Sequence, residues 1–334
     1  MQAQRIATPR QVSALSWDGD DLVDFSHGPT RWSSDGTVDS PRICRMFSGP
    51  FDHAVVSPSG RFEVLYAERG TKALLLRQGK LLRELDRSYY HAEDFDYPVA
   101  LGALADGREV VVHCPNEYNV LQIDDAETGR RITEGSRTPQ DVFHSRLSIS
   151  PDGRHLLAAG WVWHPHGIAM VFDLAAAAKD PTVLDGRGVL PAETSFAEVE
   201  SACWLDNDRV AIAASNADPL DDEDDREDSD RLAPGQLGIW SIDSARWLHR
   251  SRPTHPVGTM IACGERIVSL YGHPRLIDPI SGETLVEWPD VDAGTKDCSY
   301  GVTHIPTPVA TAHPDGTRLA IAQTDHTPIL KLEP

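Results

Sequence analysis

The sequence lacks the short motifs that mark the common catalytic folds. It contains no G-x-S-x-G nucleophile elbow, no H-E-x-x-H zinc-protease motif, no Walker sequence and no dinucleotide-binding glycine pattern. Each of those motifs supplies a nucleophile, a pair of metal ligands or a cradle for phosphate. Their absence argues against the familiar hydrolases, kinases and nucleotide-dependent oxidoreductases.

Cysteine is scarce, with five in 334 residues and none in a C-x-x-C pair. Their odd number and wide spacing favour neither a disulfide framework nor a zinc knuckle. We therefore expect buried free thiols.

Positive charge is also in short supply. The chain carries 31 basic against 51 acidic residues, a formal net charge of −20. A surface of that sign repels phosphate backbones and anionic lipid headgroups. We therefore expect neither a nucleic-acid nor a membrane partner.

Long apolar runs are missing as well. No segment approaches the ~18 apolar residues of a membrane helix, and the amino terminus has no apolar stretch of signal-peptide length. The expected location is cytoplasmic. No segment has a long helical period either, and the alanine-rich Leu174–Lys179 predicts one short helical turn.

What the chain does contain is a repeat, in which an apolar alternating run, a tight polar turn and a second apolar run recur seven times. The spacing is close to the ~40–50 residues of a four-stranded propeller blade. The turns are Asp18-Gly19, Ser57-Pro58-Ser59-Gly60, Asp106-Gly107, Pro151-Asp152-Gly153, Asp206-Asn207-Asp208, Cys263-Gly264-Glu265 and Pro314-Asp315-Gly316.

The clearest copy carries Ser150-Pro151-Asp152-Gly153 at its hairpin and Phe172-Asp173 at the end of its third strand. In these features the chain resembles the WD40 and YVTN-like propeller superfamily. The resemblance implies an all-β fold, a seven-bladed β-propeller of four-stranded antiparallel blades. It also implies that protein or peptide binding is the expected function.

The last repeat supplies only three strands, ending at Ile329–Leu332, so Gln4–Thr8 is expected to add the outermost strand and close the ring. We expect residues 1–334 to form a single propeller domain. Two segments interrupt the repeat: Asp180–Thr194, expected to be an extended connection, and an acidic loop inserted in blade 5 at 218–231. Nine acidic residues in 218–230 predict a flexible loop, with a basic partner as the functional alternative.

A propeller has two rims. We call the one that carries the turn of each first hairpin the lower rim. The top rim carries the connections from second to third strand and between blades. Most of the 14 histidines map to the top rim, namely His27, His53, His91, His113, His144, His164, His166, His255, His273, His304 and His326.

Convergence of such residues around the central channel would create a site for acid–base chemistry or for a divalent metal ion. The candidate metal ligands are His53, His144 and His255. The candidate catalytic residues are His53, His144, Glu198 and Glu200, with Asp52 and Asp141 as further carboxylates. The alternative is that these histidines only cap backbone groups and fill polar turns.

Aromatic side chains suggest a different use of the same rim. Trp161 and Trp163, if exposed, are anchors of the type enriched at binding hot spots, although strand alternation is expected to bury at least one of them. Arg146 is expected either to bind a ligand carboxylate or to pair with Asp141. The candidate binding residues are Trp161, Trp163, His164, Arg146, His113, Asn116, Tyr271 and His273.

Two functions follow from these patterns. The first is a scaffold that presents its top rim to a protein or peptide. The second is a metal-dependent or acid–base enzyme, a lyase, cyclase or hydrolase, with a His and carboxylate site at the mouth of the channel.

Overall fold

The structure is a computed structural model, and the fold is described for nine segments of the chain. They are residues 4–8, 12–24, 30–33, 35–40, 51–163, 166–191, 194–216, 230–296 and 307–332. The acidic run at 217–229 and His27, His164 and His304 lie outside the described residues.

Seven antiparallel sheets follow one another as the blades of a ring. The first strand, β1 (Gln4–Ala7), belongs to the last blade. Blade 1 contains β2 (Leu15–Asp18), β3 (Asp21–Asp24), β4 (Thr30–Trp32) and β5 (Val38–Asp39). Blade 2 contains β6 (His53–Val56), β7 (Phe62–Tyr66), β8 (Lys72–Arg77) and β9 (Lys80–Asp86). Blade 3 contains β10 (Val99–Ala103), β11 (Glu109–His113) and β12 (Gln122–Asp125).

Blade 4 has an added small hairpin and two short helices. It contains β13 (Leu147–Ile149), β14 (His155–Ala158), the hairpin β15 (Trp161–Val162) and β16 (His166–Gly167), β17 (Met170–Asp173), helix α1 (Leu174–Ala177) and the 3₁₀ helix η1 (Pro181–Asp185). The predicted helical turn is therefore present as α1.

The last three blades have four strands each, if β1 is counted with blade 7. Blade 5 contains β18 (Val199–Trp204), β19 (Arg209–Ala214), β20 (Leu237–Ser241) and β21 (Arg246–Ser251). Blade 6 contains β22 (Thr259–Cys263), β23 (Arg266–Tyr271), β24 (His273–Ile277) and β25 (Thr284–Glu287). Blade 7 contains β26 (Ala310–Ala312), β27 (Arg318–Ile321) and β28 (His326–Lys331), with β1 at its edge. The seven-bladed all-β prediction is confirmed. All seven predicted turns join the first and second strands of a blade.

The ring closes as predicted, because β1 pairs antiparallel with β28 and forms the outer edge of blade 7. The register differs in detail: Gln4 lies opposite Ile329 and Ala7 opposite His326, so β1 pairs with the first four of the six residues of β28. The backbone N–H of Thr8 extends the pairing by donating to the carbonyl of Asp325 at 3.2 Å.

Two expectations about individual segments are wrong. Blades 3 and 4 have three named strands rather than four. In blade 3 the fourth position is reduced to a bridge between Asp124 and Arg131, and in blade 4 the chain turns into α1 directly after β17. The connection expected to be extended from Asp180 instead contains η1, which Asp180 caps by accepting from the N–H of Thr182.

The core lies between blades rather than within them. Successive residues of a strand face opposite seams: Leu156 packs toward blade 3 and Leu157 toward blade 5. In this way the buried residues form one cluster at each of the seven seams. An eighth cluster, built on Phe143, lies on the top rim.

One lower-rim turn shows why a glycine is required. Gly153 has φ +73°, and a Cβ there would lie 1.8 Å from the carbonyl oxygen of Ala103 in blade 3. The turn of blade 4 thus rests directly on the backbone of its neighbour, which only glycine permits.

Candidate functional site

His53 begins the first strand of blade 2, and both of its ring nitrogens face acceptors. Nδ1 lies 2.9 Å from the Asp52 carboxylate and Nε2 lies 2.7 Å from the carbonyl oxygen of Thr307. Burial would lower the pKa of His53, but the hydrogen bond to Asp52 and the charge of Glu68 outweigh it and raise the pKa to about 9. His53 is therefore a cation at neutral pH, with no lone pair to offer a metal.

His144 has the opposite character. It is 2% exposed, and its ring meets that of Phe172 edge to face at 6.2 Å. Burial lowers the pKa of His144 to about 4, so the imidazole is neutral at pH 7. It fills the interior behind the rim instead of facing solvent.

His255 and His273 meet at the outer strand of blade 6. The carboxylate of Glu287 on β25 lies 2.8 Å from His273 Nε2, 3.9 Å from His255 Nε2 and 3.6 Å from Arg275 Nε. Arg275 also donates to the carbonyl of Tyr271 at 2.9 Å. The candidate residues of blade 6 thus surround an outer-strand carboxylate of the same blade.

The carboxylates Glu198 and Glu200 lie beside a lysine. Lys296 Nζ is 2.6 Å from Glu200 and 4.0 Å from Glu198. Arg146 donates to the carbonyls of Glu200, at 2.6 Å, and Ala159, at 3.0 Å. Together these contacts form a charge-compensated network.

Arg146 does not pair with Asp141, and its binding of a ligand carboxylate stays a prediction. The carboxylate beside Arg146 Nε is Asp96, at 4.0 Å, and not Asp141. The side chain of Asp141 instead accepts the hydroxyl of Tyr118. The predicted pair of Arg146 with Asp141 is therefore wrong.

No group of three or more His, Cys, Asp or Glu side chains is arranged to hold a metal ion among the residues that the structure describes. His53, His144 and His255 each have different neighbours. This gives the metal-site hypothesis no support, and it stays a prediction. The same holds for catalytic roles of His53, His144, Glu198 and Glu200.

His113 and Asn116 begin the connection between β11 and β12. His113 is buried and pairs across the two strands with Asp124 at 3.1 Å. Asn116 is exposed. Of the two, only Asn116 is accessible to a ligand.

Trp161 and Trp163 behave as alternation predicts, with one side chain inside and one outside. Trp161 is 8% exposed and Trp163 is 52% exposed. Trp161 lies flat against Phe143, with ring centroids 4.0 Å apart and planes 11° from parallel. A pair of backbone hydrogen bonds between the same two residues holds their chains together, at 2.9 and 3.1 Å.

Phe143 is the centre of this cluster and is 1% exposed. The rings around it come from three other top-rim connections, so the cluster joins four connections in all. Its neighbours, with centroid distances, are Trp161 (4.0 Å), Tyr118 (4.5 Å), Phe95 (5.4 Å), His91 (5.8 Å), Tyr90 (5.9 Å) and Trp163 (6.5 Å). We call the outer rings, Tyr90, His91, Tyr118 and Trp163, the aromatic patch.

The connection that carries Tyr90 and His91 is held from below by Arg87, which is 4% exposed. Its guanidinium donates to the carbonyls of Gly70 (2.6 Å), Phe95 (3.0 Å), Asp96 (3.1 Å) and Ala92. It also lies over the ring of Phe95 at 4.5 Å. Burial lowers the pKa of Arg87 to about 10, which leaves it charged at pH 7.

Carboxylates surround the aromatic patch. Asp94 accepts from His91 Nδ1 at 2.6 Å, and Asp141 accepts from the Tyr118 hydroxyl. Burial, the hydrogen bond to Asp141 and the nearby charge of Glu117 raise the pKa of Tyr118 to about 12. The patch therefore combines exposed rings with a negative potential.

Sequence reasoning identified Trp161 and Trp163 but missed Phe143, Tyr90, Tyr118 and Arg87. A signal was available in the segment Ser88–Tyr97, where three tyrosines and a phenylalanine alternate with acidic residues in a connection. So many aromatic side chains outside a strand indicate a separate cluster. Nothing in the sequence indicates that Phe143 connects the four segments.

Comparison with known proteins gives a match in structure only. No family model and no curated protein matches the sequence. A chain in the crystal structure of a mitotic checkpoint complex matches with a TM-score of 0.62 and 13% identity, covering 99% of this chain and 95% of that one. The match agrees with the seven-bladed propeller fold that the strands of this chain form.

The match does not extend to function. The propeller fold is shared with a large set of solved structures, 1177 matching chains in all, so the fold alone does not select one activity. None of the helices in the described segments is both long enough and apolar enough to span a membrane.

Proposed function

We propose that this propeller is a scaffold that binds a partner protein or peptide through the aromatic patch on its top rim. The observation that carries the proposal is the eighth cluster, in which exposed Tyr90 and Trp163 lie on a buried base of Phe143 and Trp161. The seven seam clusters already account for the ring, so this cluster is additional to what closes the fold.

The patch has the character of a binding hot spot. Tryptophan and tyrosine are enriched among the residues that dominate interface energies. Tyr90 and Trp163 each leave 52% of their surface exposed. Because Arg87 holds the connection that carries Tyr90, and the rings beneath the patch are packed, ordering this connection on binding costs little conformational entropy.

The fold is consistent with this role. The mitotic checkpoint complex, whose chain matches along almost the full length, is an assembly of proteins. A cytoplasmic location fits the thiols, because Cys114, Cys203 and Cys263 are free and each is buried or half-buried. The proposed scaffold therefore needs no oxidising compartment.

The test is differential capture of partners. Immobilised wild type is compared with the double variant Tyr90→Ala, Trp163→Ala and with the matched control Leu81→Ala, Ile280→Ala, which removes exposed apolar side chains on blades 2 and 6. We expect a reproducible set of proteins that wild type and control retain and that the patch variant loses. If the patch variant, folded by circular dichroism, retains the same set, the proposal is wrong.

A further inference from the structure

We infer that the partner presents a cationic side chain, arginine or lysine, to the aromatic patch, where it is held by cation–π contact and by the carboxylates at its edge. This inference rests on the proposed function, because it names the chemistry of the partner for the same surface. It commits to a basic segment of a protein as the occupant.

The first argument is the charge of the four connections that build the patch. The segments 88–96, 114–121, 138–145 and 159–163 contain no lysine or arginine. They contribute the exposed or half-exposed carboxylates of Glu93, Asp94, Glu117 and Asp141. An anionic partner would meet repulsion from the three segments that carry these carboxylates, whereas a basic one would be attracted to them.

Three arginines adjoin these segments in the chain, namely Arg87, Arg137 and Arg146, and each is engaged away from the patch carboxylates. The Arg137 side chain is buried and pairs with Asp185 at 2.6 Å. Arg87 lies beneath the patch, where its donors are directed at backbone carbonyls. Arg146 donates toward the backbone of Glu200 in blade 5. The negative potential of the patch is therefore directed outward.

The second argument is the arrangement of the rings. His91 lies between the two exposed rings, with its centroid 4.5 Å from that of Tyr90 and 5.2 Å from that of Trp163. Indole and phenol faces attract a cation placed within about 6 Å of the ring centroid. A side chain that settles over this row would meet two such rings.

A buried cation–π contact lies directly beneath the aromatic patch. The guanidinium of Arg87 lies 4.5 Å from the ring of Phe95 and 5.1 Å from that of Tyr97. That contact is buried and serves the fold, whereas Tyr90 and Trp163 leave equivalent ring surface at the exterior. The long methylene stem of arginine or lysine would cover the apolar part of these rings.

The experiment uses three peptides of one Gly-Ser framework that carry three arginines, three citrullines or three glutamates. Citrulline keeps the size of arginine and removes its charge. Binding to the full chain is followed by the indole N–H resonances of ¹⁵N-tryptophan-labelled protein, with that of Trp163 assigned by its loss in Trp163→Phe. We expect a saturable shift of the Trp163 resonance with the arginine peptide only.

Two matched variants separate the patch from the overall charge of the chain. Glu117→Gln, Asp141→Asn removes two charges at the patch and is expected to weaken binding of the arginine peptide roughly three- to tenfold. Asp243→Asn, Glu283→Gln removes two exposed charges on the turns between the third and fourth strands of blades 5 and 6, and is expected to leave the dissociation constant unchanged. Equal weakening by both variants would mean that net charge, and not the patch, attracts the peptide.

The outcomes also distinguish this inference from the proposed function. The inference of a cationic side chain is wrong if the citrulline peptide binds as well as the arginine peptide. It is also wrong if neither peptide shifts the Trp163 resonance. In either case the proposed scaffold function still holds if Tyr90→Ala, Trp163→Ala loses partners. If that double variant loses no partner, the proposed function fails whatever the peptides do.

Discussion

The indole Nε1 of Trp204 donates a hydrogen bond to the carbonyl of Ser148 at 3.2 Å, across the seam between blades 5 and 4. Trp17 makes the same contact with Thr311 at 3.0 Å, across the seam between blades 1 and 7. In both cases a tryptophan at the end of a first strand reaches the first strand of the preceding blade. Side chains therefore join neighbouring sheets whose backbones do not pair.

Replacing Trp204 by phenylalanine keeps an aromatic ring but removes this donor and part of the packed volume. We expect Trp204→Phe to lower the free energy of unfolding by about 1–3 kcal/mol. Urea denaturation followed by circular dichroism measures the change. Trp163→Phe is the control, because that side chain is exposed, and equal midpoints for the two variants would contradict a role for the seam contact.

The closing strand supplies a second prediction. Deleting residues 1–8 removes β1 and leaves the edge of β28 unpaired. We expect the free energy of unfolding to fall by about 2–4 kcal/mol. We also expect copies of the truncated chain to associate through the new edge. Thermal melting and size-exclusion chromatography measure the two effects. Deletion of residues 1–3, which keeps β1, should melt like the full chain. An unchanged melting temperature after the longer deletion would refute closure by β1.

Arg87 supplies a third prediction, because its guanidinium serves several carbonyls at once. We expect Arg87→Met to lower the free energy of unfolding by about 3 kcal/mol or more, because these carbonyls lose a charged donor. Hydrogen exchange at residues 88–97 should increase before global unfolding. Arg83→Met is the comparison, because Arg83 donates to two carbonyls in the seam of blades 2 and 3. If exchange at 88–97 rises equally in both variants, Arg87 does not hold that connection.

His53 gives a prediction about pH. Its pKa is about 9 in the folded protein and about 6.5 when exposed, so the folded state binds the proton more tightly. The resulting stabilisation of the folded state, about 3 kcal/mol, is fully present below pH 6.5 and is lost as the pH rises through 9.

The measurement is urea unfolding of wild type and His53→Gln between pH 6 and 9.5. The free energy of unfolding of wild type is expected to exceed that of the variant most at pH 6, and the difference should shrink as the pH rises. His249→Gln is the control, because His249 is exposed on the outer strand of blade 5. A wild-type advantage that stays constant over this range would contradict the charged form of His53.

The ring was predictable because its signals are local and repeated. Each Gly- or Asp-containing turn fixes a hairpin, and alternation such as Leu156 and Leu157 fixes which seam a side chain enters. The missing fourth strand of blade 4 was less visible, because Leu174–Ala177 contains good helix formers whose effect depends on the cap that Asp173 provides. Local pattern alone does not show whether a fourth strand or a helix wins there.

The candidate site was predictable only in part, because it depends on contacts between segments far apart in the chain. Trp163 was identifiable as a large side chain in a connection. Tyr90 and Trp163 lie against one phenylalanine, and that relationship exists only once blades 3 and 4 are neighbours. His53 and His255 look alike in sequence and differ in surroundings, since one is buried among acceptors and the other lies beside an outer strand.

The pairing of β1 with β28 places the two ends of the described chain side by side, with Gln4 opposite Ile329. Because the ring is closed, the chain could begin at any blade without changing the contacts between blades. A circular permutant that joins the present ends and opens the chain at the lower-rim turn of Asp106-Gly107 preserves every seam. In such a molecule the new ends would lie on the lower rim of blade 3, opposite the aromatic patch on the top rim, and β28 would lead directly into β1 within blade 7.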